Sequence, residues 1–230
     1  MKRLVLLGEG QGDVTALPIL ARRILREKRL DEVYFVDQEV IRAGNAAGLI
    51  TWDKDKNQPD FSEWHRILQI AARRKPAAVL AIFDGDAKTF PAGSINGFCA
   101  VTAAKLMAFT AWEAGAGKLF SLAVVFACME YESWIIGGAE SLAGKTFKDG
   151  RPVLSANLNI SHAQPETRGK RWLEKNCPGY RPTRDQAPLT ELVDLDMVRK
   201  KNLRSFARLE NAFDQLRQAA ESGAFVSTPA

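Results

Sequence analysis

The sequence contains little cysteine and histidine and no long apolar stretch, and each shortage excludes a class of protein. Its three cysteines, Cys99, Cys128 and Cys177, are scattered without a CxxC pair, so we expect no disulfide framework, and a reducing compartment suits the chain. With only His65 and His162, neither a histidine-rich zinc site nor a pair of catalytic histidines is expected. No run approaches about 18 uninterrupted apolar residues, so the sequence predicts no membrane span.

What the sequence does contain is typical of a globular protein with a moderate excess of positive charge. Hydrophobic residues make up 46% of the 230 positions, enough for one sizeable domain to bury a core without disulfides. The net charge of +5 favours a polyanionic partner, although many enzymes of other kinds are equally basic. The first residues enter a strand-like run and lack the layout of a signal peptide, so we expect a cytoplasmic protein.

Short apolar runs alternate with helical patterns over residues 1–140. The predicted strands are 4–7, 33–41, 77–83 and 119–127. The predicted helices are 14–29, 61–74 and 98–114, and residues 43–60 are predicted to form a loop. Strands that are apolar throughout and separated by helices pair in parallel through right-handed crossovers. The sequence therefore predicts an α/β domain with a parallel sheet of about four strands and flanking helices.

The composition of the sequence changes after the fourth predicted strand. Residues 141–165 are rich in Gly, Pro, Asn and Ser and are predicted to be an irregular connection. Helical patterns then follow near 166–176, 188–202 and 204–221, so we expect a helical C-terminal region, 166–221, packed on the first domain. The tail, 222–230, is predicted to be frayed.

Acidic residues follow three of the four predicted strands. Glu9 comes after the first, Asp84 and Asp86 after the third, and Glu130 and Glu132 after the fourth. Because the carboxyl ends of parallel strands meet at one edge of a sheet, we expect these side chains to face one site. Positions i and i+2 of an extended chain point the same way, so Asp84 and Asp86 would repel unless a cation lies between them or one takes a proton. Hard oxygen ligands of this kind suit Mg²⁺.

Each of these acids also has a simpler interpretation. An Asp-Gly turn after a strand is common and often solvated, which would explain Asp84 and Asp86 without a metal. Glu130 and Glu132 stand where a helix follows a strand, and acids are favoured there by the helix dipole. The arrival of Glu9 at the same edge from another buried strand favours the metal site.

The glycine-rich segment 8–13, GEGQGD, is a poor phosphate loop. No lysine follows Gly12, and the glycine spacing fits neither a Walker loop nor the dinucleotide fingerprint. Asp13 would in addition repel a pyrophosphate. We therefore expect the glycines to free the backbone around Glu9, so that its side chain projects over the edge of the sheet.

Taken in order, these motifs resemble those of a known family. A Glu-Gly turn after the first strand and an Asp-x-Asp after a later parallel strand resemble the Toprim signature. More narrowly, the chain is similar to domain-of-unknown-function family 4276, a group of Toprim-like bacterial proteins. The matching pieces are Glu9-Gly10 with Asp13 and Leu17-Pro18, the segments 83–86 and 129–134, and the stretch 180–213.

The resemblance implies a Toprim-like fold and a set of roles. In Toprim enzymes the glutamate transfers a proton and the paired aspartates bind Mg²⁺. By resemblance Glu9, Asp84 and Asp86 would be catalytic and would bind Mg²⁺ or Mn²⁺, and Glu130 or Glu132 would add a ligand. A metal of this kind neutralises a phosphodiester and activates a water or hydroxyl.

Basic residues with an aromatic neighbour cluster in the C-terminal region, a composition that suits a phosphate backbone and a stacked base. A charged helix face that is merely solvated would look the same, and acids are interleaved among these residues. The candidates for contact with nucleic acid are Lys170, Arg171, Tyr180, Arg184 and Arg204.

The sequence therefore predicts Mg²⁺-dependent phosphodiester chemistry, most simply a nuclease acting on DNA or RNA. The resemblance suggests work in defence against phage or mobile elements beside an ATPase, which would be a separate protein because this chain has no Walker motif. One alternative is a subunit that binds nucleic acid or a partner without turnover. Another is a small-ester phosphatase, since residues 84–89, DGDAKT, resemble the DxDxT motif with the threonine one place late. The oligomeric state stays open.

Overall fold

A computed structural model describes residues 1–155, 158 and 168–230, in which strands and helices alternate. The strands are β1 (Lys2–Gly8), β2 (Tyr34–Val36), β3 (Ile41–Arg42), β4 (Thr51–Asp53), β5 (Gln58–Asp60), β6 (Ala78–Asp84), β7 (Ser121–Ala127) and β8 (Ser227–Pro229). The helices are α1 (Gln11–Glu27), α2 (Ala46–Leu49), α3 (Ser62–Arg73), α4 (Ala100–Thr110), α5 (Glu132–Gly137), α6 (Gly169–Asn176), α7 (Pro182–Leu192), α8 (Leu195–Lys200) and α9 (Arg204–Ser222). Short 3-10 turns follow α4 and α5, at Ala111–Ala114 and Ala139–Leu142.

The main sheet has the order β2-β1-β6-β7-β8, with β3 also paired to β1, and every pairing in it is parallel. β6 and β7 are paired over their whole length, from Ala78 opposite Ser121 to Asp84 opposite Ala127. All of β7 is buried, as expected for a strand covered on both faces. The predicted α/β architecture with a parallel sheet is confirmed.

Successive residues of the central strands face two separate apolar layers, as the period of a strand requires. Leu4 and Leu6 of β1 belong to a core that includes α1, α5 and the C-terminal helices α6 to α9. Val5 and Leu7 belong to a second core, formed with α3 and α4. The C-terminal helices thus cover one face of the sheet, and they reach the same edge as the acidic turns.

The region between the first and third predicted strands is more structured than expected. The predicted strand 33–41 is two short strands, β2 and β3, because the chain leaves the ladder after Val36. There the Asp37 N–H donates to the carbonyl of Leu4 at 2.8 Å, and the Asp37 carboxylate accepts the N–H of Gln38 at 2.8 Å. The predicted loop 43–60 contains α2 and the antiparallel hairpin β4–β5, and Asn45 caps α2 by accepting the N–H of Gly48 at 2.7 Å.

The C-terminal part differs from its prediction in two places. The single helix predicted over 188–202 is two helices, and α7 begins earlier, at Pro182, where proline suits a first turn. Asp194 separates them and caps α8 by accepting the N–H of Asp196 at 2.8 Å. The prediction of a frayed tail is wrong, because β8 pairs with β7 and the Ser227 hydroxyl donates to the carbonyl of Ala108 at 2.6 Å.

Two further points concern the limits of the described chain. His162 and part of the predicted connection 141–165, residues 156–157 and 159–165, lie outside the described residues. Among the residues that the structure does describe, none of the helices is long and apolar enough to cross a membrane.

Candidate active site

The topology brings three acids to one edge of the sheet. Glu9 follows β1, Asp84 is the last residue of β6, and Glu130 follows β7. These three strands are neighbours and run in the same direction. The edge where they end is therefore acidic, and it is the edge at which ligands bind in open α/β sheets.

Glu9 and Asp84 are in direct contact. The backbone N–H of Asp84 donates to Glu9 Oε2 at 3.1 Å. Burial, and after it the negative charge of Asp84, raises the pKa of Glu9 to about 7, against the opposing effect of the Asp84 N–H. The charges of Asp86 and Asp13 contribute to the same rise. The result is a glutamate that both holds and releases a proton near neutral pH.

Asp84 is the more buried of the two, with a side chain that is 10% exposed. Burial raises its pKa to about 6, although the positive charge of Lys170 acts in the opposite direction. Its Oδ1 atom accepts the N–H of Tyr131 at 2.8 Å, and its Oδ2 atom lies 3.3 Å from the Lys170 ammonium. Both oxygens are thus engaged.

The opening segment holds Glu9 through Asp13. Asp13 Oδ2 accepts the N–H of Glu9 at 3.0 Å and that of Gly10 at 2.7 Å, and its Oδ1 accepts from Gln186 Nε2 at 3.3 Å. Asp13 therefore ties the turn to the start of α1 and to α7. The spacing of an acid three residues after the N-cap residue, Gly10, is the signal for this contact in the sequence.

The turns after β6 and β7 are packed closely together. A Cβ atom at Gly85 would lie 2.6 Å from the carbonyl oxygen of Ala127, so this position admits only glycine without movement of the backbone. In the second turn Met129 adopts the left-handed conformation, with φ of 61°. This path directs the N–H of Tyr131 at the Asp84 carboxylate.

Lys170, predicted to contact nucleic acid, lies within the acidic cluster. In addition to the ammonium contact with Asp84, its backbone N–H donates to Glu130 Oε2 at 2.8 Å. Burial alone would lower the pKa of Lys170, but Asp84, Glu132 and Glu130 together raise it well above its ordinary value. The approach depends on Gly169, where a Cβ atom would lie 2.8 Å from the Cβ atom of Glu132.

Glu132 lies behind this cluster and is fully buried. Its Oε1 accepts from the Tyr180 hydroxyl at 2.9 Å, whereas Oε2 has no hydrogen-bond partner among the described residues. Burial raises the pKa of Glu132 to about 7, with Lys170 acting in the opposite direction. Tyr180 is itself buried, which differs from the exposed stacking surface that we expected of it.

The remaining predicted residues have exposed side chains. Asp86 is exposed, and so are Arg171 and Arg204. Arg184 is also exposed, but its guanidinium is held within the protein, because it donates to Asp185 at 2.7 Å and to the carbonyl of Gly179. Asp86 nevertheless acts on the Glu9 carboxyl through its charge, whereas the Arg184 guanidinium is committed to Asp185 and Gly179.

Within the described ranges, no three His, Cys, Asp or Glu side chains are disposed to hold a metal ion. The donor chemistry at the edge nevertheless fits a hard divalent cation. Glu9 and Asp84 are close, largely buried carboxyls; burial raises the pKa of each, and repulsion from neighbouring acids adds to the rise. A cation between them would relieve that repulsion. As the structure stands, Lys170 supplies the positive charge.

A model of the family described as "Domain of unknown function (DUF4276)" matches residues 8–214, which include the whole acidic edge. The comparisons with curated proteins and with solved structures gave no match.

Proposed function

Because the chain belongs to the DUF4276 family, whose description assigns no activity, we propose a function from the site itself: divalent-metal-dependent phosphodiester chemistry on nucleic acid, most simply hydrolysis. The observation that supports it is the contact between Glu9 and Asp84 at the carboxyl edge, where both carboxyls have a raised pKa. Perturbed carboxyls at such an edge are typical of catalytic sites.

Each residue of the edge has a role in this proposal. Glu9, with a pKa of about 7, transfers a proton to or from the reacting oxygen. Asp84 and Glu9 hold Mg²⁺ or Mn²⁺, with Asp86 and Glu130 as further candidate ligands from the same turns. When bound, the metal neutralises the phosphodiester and lowers the pKa of a coordinated water. Glu132 is fully buried behind the edge, where it accepts from Tyr180, so it supports the site rather than facing the substrate.

The proposed substrate is DNA or RNA. The net charge of +5 favours a polyanion, and Arg171, which follows Lys170 in α6, is exposed. Arg204 offers a second exposed cation at the start of α9. We also propose that the protein acts in bacterial defence, together with a separate ATPase.

The test is a cleavage assay on plasmid, single-stranded DNA and RNA with Mg²⁺, Mn²⁺ or EDTA. The variants are Glu9→Gln and Asp84→Asn, and the matched control is Asp31→Asn, which changes an exposed acid outside the site. We expect metal-dependent cleavage by the wild type and the control, and a loss of at least about 100-fold in each site variant. Cleavage that survives both substitutions would refute the proposal.

One observation favours a second candidate, a non-catalytic subunit that binds nucleic acid or a protein partner. Lys170 already neutralises Asp84, and no metal-binding group of three is assembled in the described chain. Such a subunit would neither bind Mn²⁺ at Asp84 nor cleave nucleic acid. The proposed enzyme would do both. Measurement of Mn²⁺ binding by wild type and Asp84→Asn therefore separates the two candidates.

A further inference from the structure

Lys170 occupies the position on Asp84 that a metal would need. Its ammonium lies 3.3 Å from Asp84 Oδ2, while the other oxygen, Oδ1, is taken by the N–H of Tyr131. The backbone of the same residue holds Glu130 through a 2.8 Å hydrogen bond. One residue thus contacts two of the three acids that end the central strands.

The exposure of the two side chains shows which of them can move away. The Lys170 side chain is 41% exposed, whereas that of Asp84 is 10% exposed. The ammonium therefore lies on the solvent side of the carboxylate and covers it. A lysine has a flexible four-carbon stem and a compact charge, so it can leave one oxygen for another without movement of its helix.

We propose that Lys170 is a tethered counter-ion that competes with the divalent metal for Asp84 and, once displaced, pairs with a phosphate of the nucleic acid. The inference rests on the proposed function and adds a coupling to it. Two cations cannot share one carboxylate oxygen without strong repulsion, so the metal must expel the ammonium. A phosphate that captures the expelled ammonium makes metal binding easier, and by linkage the metal strengthens binding of the phosphate to the same degree.

The first experiment measures Mn²⁺ affinity by the loss of the free-ion electron paramagnetic resonance signal. The proteins are the wild type, Lys170→Gln and Lys175→Gln, a matched control in which an exposed lysine of α6 is changed. Each is titrated alone and with a phosphorothioate oligonucleotide. Without oligonucleotide, we expect Lys170→Gln to bind Mn²⁺ at least about tenfold more tightly than the wild type and the control. With oligonucleotide, the wild type and the control should gain affinity and Lys170→Gln should not.

The outcomes separate this inference from the proposed function. Equal Mn²⁺ affinity of the wild type and Lys170→Gln would overturn the competition and leave the proposed metal site standing. A gain on oligonucleotide addition that persists in Lys170→Gln would overturn the coupling. Absence of Mn²⁺ binding in all three proteins would overturn the metal site and the inference together.

A second experiment uses the wild type alone and does not depend on the folding of a variant. The rate at which acetic anhydride acetylates Lys170 is measured by mass spectrometry with and without Mn²⁺. A Lys170 side chain released from Asp84 is more accessible to the reagent, so we expect Mn²⁺ to accelerate labelling of Lys170 several-fold and to leave Lys175 unchanged. An unchanged rate at Lys170 under saturating Mn²⁺ would refute the displacement.

Discussion

Asp84, at the end of β6, and Asp185, in the first turn of α7, are both buried aspartates, and their surroundings differ in the charge that faces them. Asp185 is 1% exposed and receives guanidinium groups from Arg151 and Arg184 at 2.7 Å, together with the N–H of Arg181 at 2.8 Å. Asp84 receives a single ammonium at 3.3 Å and one N–H. The two sites therefore bury similar groups with very different compensation.

The pKa values follow this difference in compensation. Burial acts to raise the pKa of Asp185, but its hydrogen bonds from Arg184, Arg181 and Arg151 lower it below its ordinary value. Burial raises the pKa of Asp84 to about 6, and one lysine does not offset it. A fully paired aspartate is typical of a structural ion pair, whereas a weakly compensated one beside Glu9 is what the proposed metal site requires.

The largest effect that would test this comparison is on stability. Asp185→Asn leaves the guanidinium groups of Arg151 and Arg184 without their carboxylate, and it places an amide N–H₂ group opposite other donors. We therefore expect it to lower the free energy of unfolding by about 3 kcal/mol. Asp84→Asn should lower it by less than about 1 kcal/mol, since an amide oxygen still accepts from Tyr131. Urea denaturation at pH 7.5 measures both. Equal losses would remove the distinction between the two sites.

The pH dependence of stability gives a smaller, more specific effect at Glu9. Its pKa is raised in the folded state to about 7, so the folded protein holds a proton that the unfolded chain releases at lower pH. Stability is therefore expected to fall as the pH rises from about 4.5 to 7, by about 2 kcal/mol for this group after allowance for partial solvation. In Glu9→Gln this part of the decline should be absent. Urea denaturation at pH 5 and pH 8 tests it, and a decline of wild-type size in Glu9→Gln would contradict the proposed burial.

The acidic edge could be predicted from the sequence, because strand placement depends on local patterns. Glu9 and Asp84 follow runs that are apolar throughout, and parallel pairing of such runs brings their ends together. The contact of Lys170 with Asp84 could not be predicted in this way, since the two residues are 86 positions apart. It depends on how α6 docks, and α6 docks closely because Gly169 has no side chain.

Two of the errors in the predicted fold have a common physical cause. Residues 227–229, STP, have neither the alternation nor the apolar character of a strand, yet they pair with the side of β7 that faces away from β6. Residues 43–60 are polar, and their hairpin is held by pairing between two three-residue strands. In both places the strand forms because a partner strand lies at the right position, and not because of local propensity. A pattern along the sequence does not contain the position of that partner.

The smallest expected effect concerns Glu132, whose buried charge is also incompletely compensated. One of its oxygens accepts from Tyr180, and the other has no hydrogen-bond partner among the described residues. With a pKa of about 7, it is protonated at pH 5 and charged at pH 8. Glu132→Gln should therefore leave stability unchanged at pH 5 and raise it by about 1 kcal/mol at pH 8, where the wild type keeps a charge buried. Urea denaturation at the two pH values tests this. A loss of stability at pH 8 would instead mean that Glu132, like Asp185, is a fully compensated anion, and that Lys170 is its cation as much as that of Asp84.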